Sequence, residues 1–189
     1  TEQGADGVTI VGPTRSGSLG ADDLAAVYRP RFHPTEPLVA YTGATARGSY
    51  RVVVEHLVTH DARTVEGLTH ADHLDWDAHG ALWVTASGCV TVVRDLGSLD
   101  SIPVACGTDA LSARLSPDGT TVAISDWSGD GADADLLVGW FRTSDNTLLG
   151  RAQVPGGRSM LALRDDGVLI VATSHGSAVA NLAQARVAT

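Results

Sequence analysis

Four stretches of this 189-residue chain align without a gap: RFHPTEPLVAYTG from Arg31, DWDAHGALWVTAS from Asp75, RLSPDGTTVAISD from Arg114 and ALRDDGVLIVATS from Ala162. One column holds a large apolar residue, Phe32, Trp76, Leu115 or Leu163. Four residues later stands Glu36, Gly80, Gly119 or Gly167, at a turn position where a positive φ is often needed and glycine adopts it without steric cost. An apolar trio follows: Val39-Ala40-Tyr41, Trp83-Val84-Thr85, Val122-Ala123-Ile124 and Ile170-Val171-Ala172. Next comes a small or hydroxyl residue, Thr42, Ala86, Ser125 or Thr173. Each copy therefore reads as a strand, a tight turn and a second strand buried on both faces.

Helical periodicity is poor elsewhere, and the one helix-like stretch, residues 22–28, is too short to organise a core. Short β-branched runs bounded by Gly, Pro, Asp or Asn recur instead, which predicts an all-β chain. The apolar anchors repeat every 39 to 48 residues or so. A repeat of that length with four short strands matches one blade of a β-propeller, and a blade cannot cover its own apolar faces unless neighbours stack on it. The expected blades are residues 21–67, 68–108, 109–156 and 157–189. Residues 1–20 form an N-terminal segment whose strand, residues 8–11, is a candidate to complete the last blade and close the ring. Two arrangements stay open: a self-contained four-bladed ring, or part of a larger propeller completed by other residues or another chain.

The stretch LSPDGTTVAISD, residues 115–126, resembles the first hairpin of a WD-repeat blade, and residues 68–98 follow a whole blade of that family in order. His70 stands where the family's Gly-His pair ends a blade, and Arg94-Asp95 where its Trp-Asp pair ends the third strand. Glu55-His56, Trp140-Phe141 and Ala180-Asn181 are the corresponding pairs elsewhere. The resemblance covers roughly residues 22–182. The signature residues themselves are mostly replaced, so the family's His-Ser-Trp-Asp hydrogen-bond network is not carried over to any blade.

Composition narrows the function. Hydrophobic residues make up 43% and charged residues 19%, a globular balance, and no apolar run approaches a membrane span. The formal net charge is -9 and every basic residue is arginine, which disfavours a nucleic-acid partner. The missing lysine also excludes a phosphate loop of the Gly-x-x-x-x-Gly-Lys kind, and no Gly-x-Ser-x-Gly elbow is present. The sequence shows no basic-then-apolar leader, which prefers a cytoplasmic placement while leaving the compartment open. Cys89 and Cys106 are too few for a disulfide framework. Their midpoint falls in the turn-like run of residues 96–100, so a hairpin there would set the thiols opposite each other. The expectation is two small apolar fillers, with a cross-strand bridge as the alternative.

Two polar clusters invite a metal. His70, Asp72, His73, Asp75, Asp77 and His79 fall within ten residues and include part of a metallo-β-lactamase-like His-x-His-x-Asp-His motif, without its first histidine. An inter-blade loop and an alternating strand explain the same residues. Asp126, Ser128, Asp130 and Asp135 offer oxygen ligands before Leu136-Leu137-Val138-Gly139, and this run resembles an integrin-type FG-GAP calcium loop with one extra residue. The reading adopted is a solvated acidic loop, with no cofactor and with calcium as the exception to test. Arg29, Arg31 and His33 alternate along one strand face, where structural salt bridges are expected.

The expectation for function is a protein-interaction scaffold or regulatory module, bound to another protein or to another domain of the same parent chain, with no catalytic residue assigned. The alternative is a propeller enzyme of lactonase or lyase type. Its polar channel site would draw on His33, Asp75, Asp77, Arg114 and Arg164, which flank the repeated turns.

Overall fold

The computed structural model describes residues 9–11, 16–19, 23–107, 112–128, 135–173 and 176–184. Among these residues there is no helix. The first blade contains β3 (Leu24–Phe32), β4 (Leu38–Thr45), β5 (Tyr50–His56) and β6 (Ala62–Thr64). The second holds β7 (His73–Trp76), β8 (Leu82–Ala86), β9 (Cys89–Val93) and β10 (Ser101–Cys106). The third has β11 (Ser112–Leu115), β12 (Thr121–Ser128), β13 (Asp135–Arg142) and β14 (Leu148–Val154). The fourth has β15 (Gly157–Leu163), β16 (Val168–Thr173) and β17 (Gly176–Asn181). Each is an antiparallel meander in chain order, giving a four-bladed propeller-like fold. The helix-like stretch at residues 22–28 thus falls largely within β3.

The repeated turns behave as the glycine column requires. Gly80, Gly119 and Gly167 have φ of 79°, 67° and 78°. Gly119 is constrained a second way, because a Cβ there would meet the backbone nitrogen of Ala78 at 2.3 Å. The second strands are buried as expected in the first three blades, with Val39, Ala40 and Tyr41 at 0% exposure. Stacking then follows from alternation. Ala40, Val52 and Val54 of the first blade pack with Leu74, Leu82 and Val84 of the second. Trp83, Val90 and Val92 on the opposite face meet Ala113, Val122 and Ile124. Ala123, Leu136 and Val138 meet Met160, Leu169 and Val171.

The two ends of this stack differ. Strand β1 (Thr9–Val11) pairs with β2 (Ser16–Ser18) in its own small sheet, and among the described residues it does not extend the fourth blade. Leu19, just after β2, is buried with Val27, Val39, Tyr41 and Val53, so the N-terminal segment covers the outer face of the first blade. Ring closure through this strand is therefore replaced by capping: apolar residues on β4 and β5 need cover, and Leu19 supplies part of it. At the other end Val168, Ile170 and Ala172 are only partly covered, and Val179 is 72% exposed. The anchor column breaks at the first blade too, where Phe32 is 55% exposed.

The two cysteines correct the filler expectation: Cys89 and Cys106 form a disulfide across β9 and β10, with Cα atoms 4.1 Å apart. From the turn, Val93 pairs with Ser101, a register that would set Cys89 against Ala105. A β-bulge between Pro103 and Ala105 shifts it by one and brings Cys106 opposite Cys89. The Gly107 N–H donates to the Gly88 carbonyl at 2.9 Å beside the pair, leaving the cysteines at a non-hydrogen-bonded position, where strands approach more closely. Proline fits here because β10 is an edge strand and needs no donor on its outer side.

Candidate functional site

The first strand of each blade lies at the inner edge of the stack, since β3 approaches β7, β7 approaches β11, and β11 approaches β15. Side chains on these strands therefore meet along this inner edge. Trp76 Nε1–H donates to the Arg31 carbonyl at 2.9 Å, joining β7 to β3. Near the C-terminal ends of the inner strands a cavity of about 520 Å³ opens, lined by Asp75, Arg114, Gly119, Leu161, Leu163 and Pro34 among others.

Of the five residues suspected from sequence, three fall in this lining, Asp75, Asp77 and Arg114. The Asp75 carboxylate favours the charged Arg114 guanidinium. Burial nonetheless holds Arg114 below the usual arginine range, and the charges of Arg29 and Arg31 add to this. Asp77 is in the lining too, but its carboxylate is committed to the turn. It is 1% exposed, and its Oδ1 accepts the N–H groups of His79 and Ala81 at 2.8 and 2.9 Å while Oδ2 accepts Trp83 Nε1–H at 2.9 Å. His33 is also structural: its Nδ1 accepts the Glu36 N–H at 2.9 Å, and its ring meets Trp76 edge-on at 4.8 Å. Arg164 lies apart from this cavity and donates to Asp166 at 2.9 Å.

Sequence reasoning assigned His73, Arg29 and Arg31 other roles, a metal candidate and structural salt bridges, and none of them is in this lining. His73 lies two residues before Asp75 on β7, and its pKa is pushed down to about 4 by burial, then by Arg114, Arg31 and Arg29. The salt bridges expected for Arg29 and Arg31 are not formed among the described residues, and Arg114 has none either. The Nη1 groups of Arg31 and Arg114 donate to carbonyls of their own strands, Pro30 and Ala113, each at 3.0 Å. A bulge between Tyr28 and Arg31 disrupts the alternation assumed for this run and places Arg29 at a φ of 55°. The signal available in the sequence was Arg29-Pro30-Arg31 on a first strand, next to a blade whose first strand begins with His73.

The metal candidates are dispersed. No group of three His, Cys, Asp or Glu side chains suited to a metal occurs among the described residues. His70 pairs with Asp72 at 3.6 Å ahead of β7, His73 and Asp75 follow on the strand, and Asp77 is engaged in the turn. In the acidic loop, Ser128 pairs in register with Asp135, whose carboxylate accepts Gln153 Nε2 at 2.6 Å and the Gly156 N–H at 3.2 Å. The Asp126 Oδ1 accepts the Trp127 N–H at 2.8 Å, and Asp130 lies outside the described residues.

No protein-family model matches the chain, and no curated protein matches it. Solved structures do. An oligogalacturonate lyase in complex with manganese superposes with a TM-score of 0.66 at 10% identity, covering 96% of this chain and 58% of that one. The β-propeller domain of the Trilobed protease from Pyrococcus furiosus gives 0.57 at 18% identity, over 77% of this chain and 47% of its own. The AfRom2 CNH domain gives 0.58 at 13% identity, over 79% and 50%. The chain spans between about a quarter and three-fifths of the lengths of the structures it matches. At these identities the likeness establishes the propeller fold; it leaves the WD-repeat resemblance a matter of pattern. Among the described residues no helix is long and apolar enough to cross a membrane.

Proposed function

We propose that the chain is a protein-interaction module whose inner edge captures an acidic segment of a partner. One observation carries this reading: Arg31 and Arg114 on inner strands donate to carbonyls of their own strands and, like Arg29, form no salt bridge among the described residues, and the charges of all three act on His73 in a chain whose net charge is -9. An acidic protein that concentrates on its inner strands guanidinium groups without a salt bridge among the described residues has a local field opposite to its overall one. The partial burial of Arg31 and Arg114 lowers the local dielectric and strengthens that field toward a bound carboxylate. Arginine also suits the task because its planar fork matches a carboxylate in two-point geometry.

The test is titration of a fluorescent hexaglutamate peptide, followed by anisotropy. Binding weakens about tenfold in Arg114→Gln, the loss of a charge-assisted contact, and falls as salt rises. Absence of binding at low salt, or equal binding by a hexalysine peptide, rejects the reading.

A second reading is supported by His73 itself. An imidazole held neutral at pH 7 beside guanidinium groups can accept a proton while the arginines pair with a substrate carboxylate, which is an arrangement a lyase acting on acidic sugars can use. The fold likeness to an oligogalacturonate lyase makes this worth assaying. Growth of unsaturated-uronate absorbance with oligogalacturonate, lost in His73→Gln, decides for it.

A further inference from the structure

A second cavity, of about 300 Å³, lies between the first and second blades and is lined by Tyr28, Arg29, Thr42, Tyr50, His70 and Ala71. It gathers residues from the middle of β3, from β4 and the start of β5, and from the segment just ahead of β7. The 520 Å³ cavity instead takes residues from the C-terminal end of β7 and the turn after it. We infer that this second cavity binds an aryl carboxylate: a flat aromatic ring bearing one carboxylate, either as a free acid or as the C-terminal phenylalanine of a peptide.

Three independent features point to such a ligand. The wall is aromatic. Tyr50 meets His70 edge-on with centroids 4.9 Å apart, and Tyr28 lies 6.4 Å from Tyr50 at an interplanar angle of 42°. Tyr28 and Tyr50 remain 46% and 39% exposed, so ring surface is left for a further ring to pack against. Tyrosines bring large rigid contact area at low entropic cost, as recognition surfaces do.

The charge is placed by a backbone anomaly. Arg29 adopts a φ of 55°, a conformation L-residues avoid, and it does so immediately before Pro30. The bulge between Tyr28 and Arg31 produces this conformation and brings Arg29 to the cavity lining. Bulges of this kind re-aim a side chain next to a site. A guanidinium beside exposed rings is the complement of a carboxylate attached to an arene.

The third feature is an unmet hydrogen bond. Thr42 is only 2% exposed and lines the cavity, yet its Oγ1 is buried with no hydrogen-bond partner among the described residues. Buried hydroxyls are nearly always bonded, so this one is available to a ligand atom. His70, whose Nδ1 lies 3.6 Å from Asp72 Oδ1, contributes ring surface. The size agrees, since 300 Å³ lies at the lower limit for ligand pockets and accommodates a single substituted ring.

The experiment is calorimetry on the full chain with three probes: phenylacetate, its neutral analogue phenylacetamide, and a short neutral peptide ending in phenylalanine. Saturable binding of phenylacetate and none of phenylacetamide is expected. Affinity falls about tenfold in Arg29→Gln, which removes the charge-assisted bond, and by a similar factor in Tyr50→Ala, which removes the ring. Thr42→Val is nearly isosteric and retains the fold; it lowers affinity by about threefold or more. Tighter binding of the peptide than of phenylacetate assigns the site to a chain terminus, and the reverse assigns it to a free acid. The inference is overturned if neither acid binds at about 10 mM, if phenylacetamide binds as well as phenylacetate, or if Tyr50→Ala and Thr42→Val leave the affinity unchanged while circular dichroism shows both folded.

Discussion

Replacing Cys89 and Cys106 together by alanine removes a covalent tie between two strands already paired by hydrogen bonds, so little changes in the folded blade. The effect falls on the unfolded chain. The bridge joins residues separated by 17 positions, and the entropy of closing a loop of that size corresponds to about 3 kcal/mol. For a chain of this length each kcal/mol moves the melting midpoint by about 2 to 4 °C, so the double variant is expected to melt about 6 to 12 °C lower. Urea unfolding followed by tryptophan fluorescence measures the same loss at constant temperature, and the wild type treated with a strong reductant should reproduce it. The slope of free energy against urea should rise slightly, because the untied chain exposes more surface on unfolding. Melting of the oxidised wild type and the double variant within about 1 °C of each other would refute the reasoning. So would free thiols on the wild type under oxidising conditions.

Three further outcomes are expected. His73 titrates in the folded state near 4, below its unfolded value, so the unfolded chain takes up the proton first as pH falls. Its contribution is complete above about pH 6.5 and declines toward pH 4, by at most about 3 kcal/mol. Urea unfolding of wild type and His73→Asn at pH 7 and 4.5 should show a smaller pH effect in the variant, and the His73 proton resonance should titrate higher in Arg114→Gln. Asp77→Ala strands Trp83 Nε1–H and two turn N–H groups in a buried place and should cost about 3 kcal/mol in urea unfolding. A loss under about 1 kcal/mol would return Asp77 to the list of functional candidates. Calcium titration should give no saturable heat, because the Asp135 oxygens already accept two hydrogen bonds; saturable heat abolished by Asp126→Ala would install a calcium site.

What the sequence made legible was whatever depends on local rules. The glycine column marks a positive-φ turn in three blades, and the trio after it is deeply buried wherever a neighbouring blade covers both faces. The WD-like third-strand pairs fall at or next to strand ends: β5 closes at His56, β9 at Val93 and β17 at Asn181. The misreadings all depend on tertiary register. Pairing of the cysteines needed a one-residue bulge at Pro103 that no spacing rule supplies. Asp77 and His33 look catalytic in a one-dimensional reading because turns and active sites draw on the same residue types; their ring and carboxylate atoms are engaged by backbone N–H groups nearby. His73 was obscured by a crowded run of His and Asp, and its importance emerged only when three arginines from two other strands were placed around it.

The unequal ends of the stack give the molecule a direction. One flank is sealed by Leu19 against Val39 and Tyr41, while the other leaves Val168, Ile170 and Ala172 half-covered. A further sheet could settle on the bare flank and find apolar partners ready, whereas anything placed ahead of β3 must first dislodge Leu19. Growth or loss of units in such an array is thereby confined to one side. Arg29 and Arg31 belong to the blade under Leu19 and Arg114 to the third blade, inside the bare flank, so an architecture of this kind can lengthen past the fourth blade while its inner chemistry stays intact.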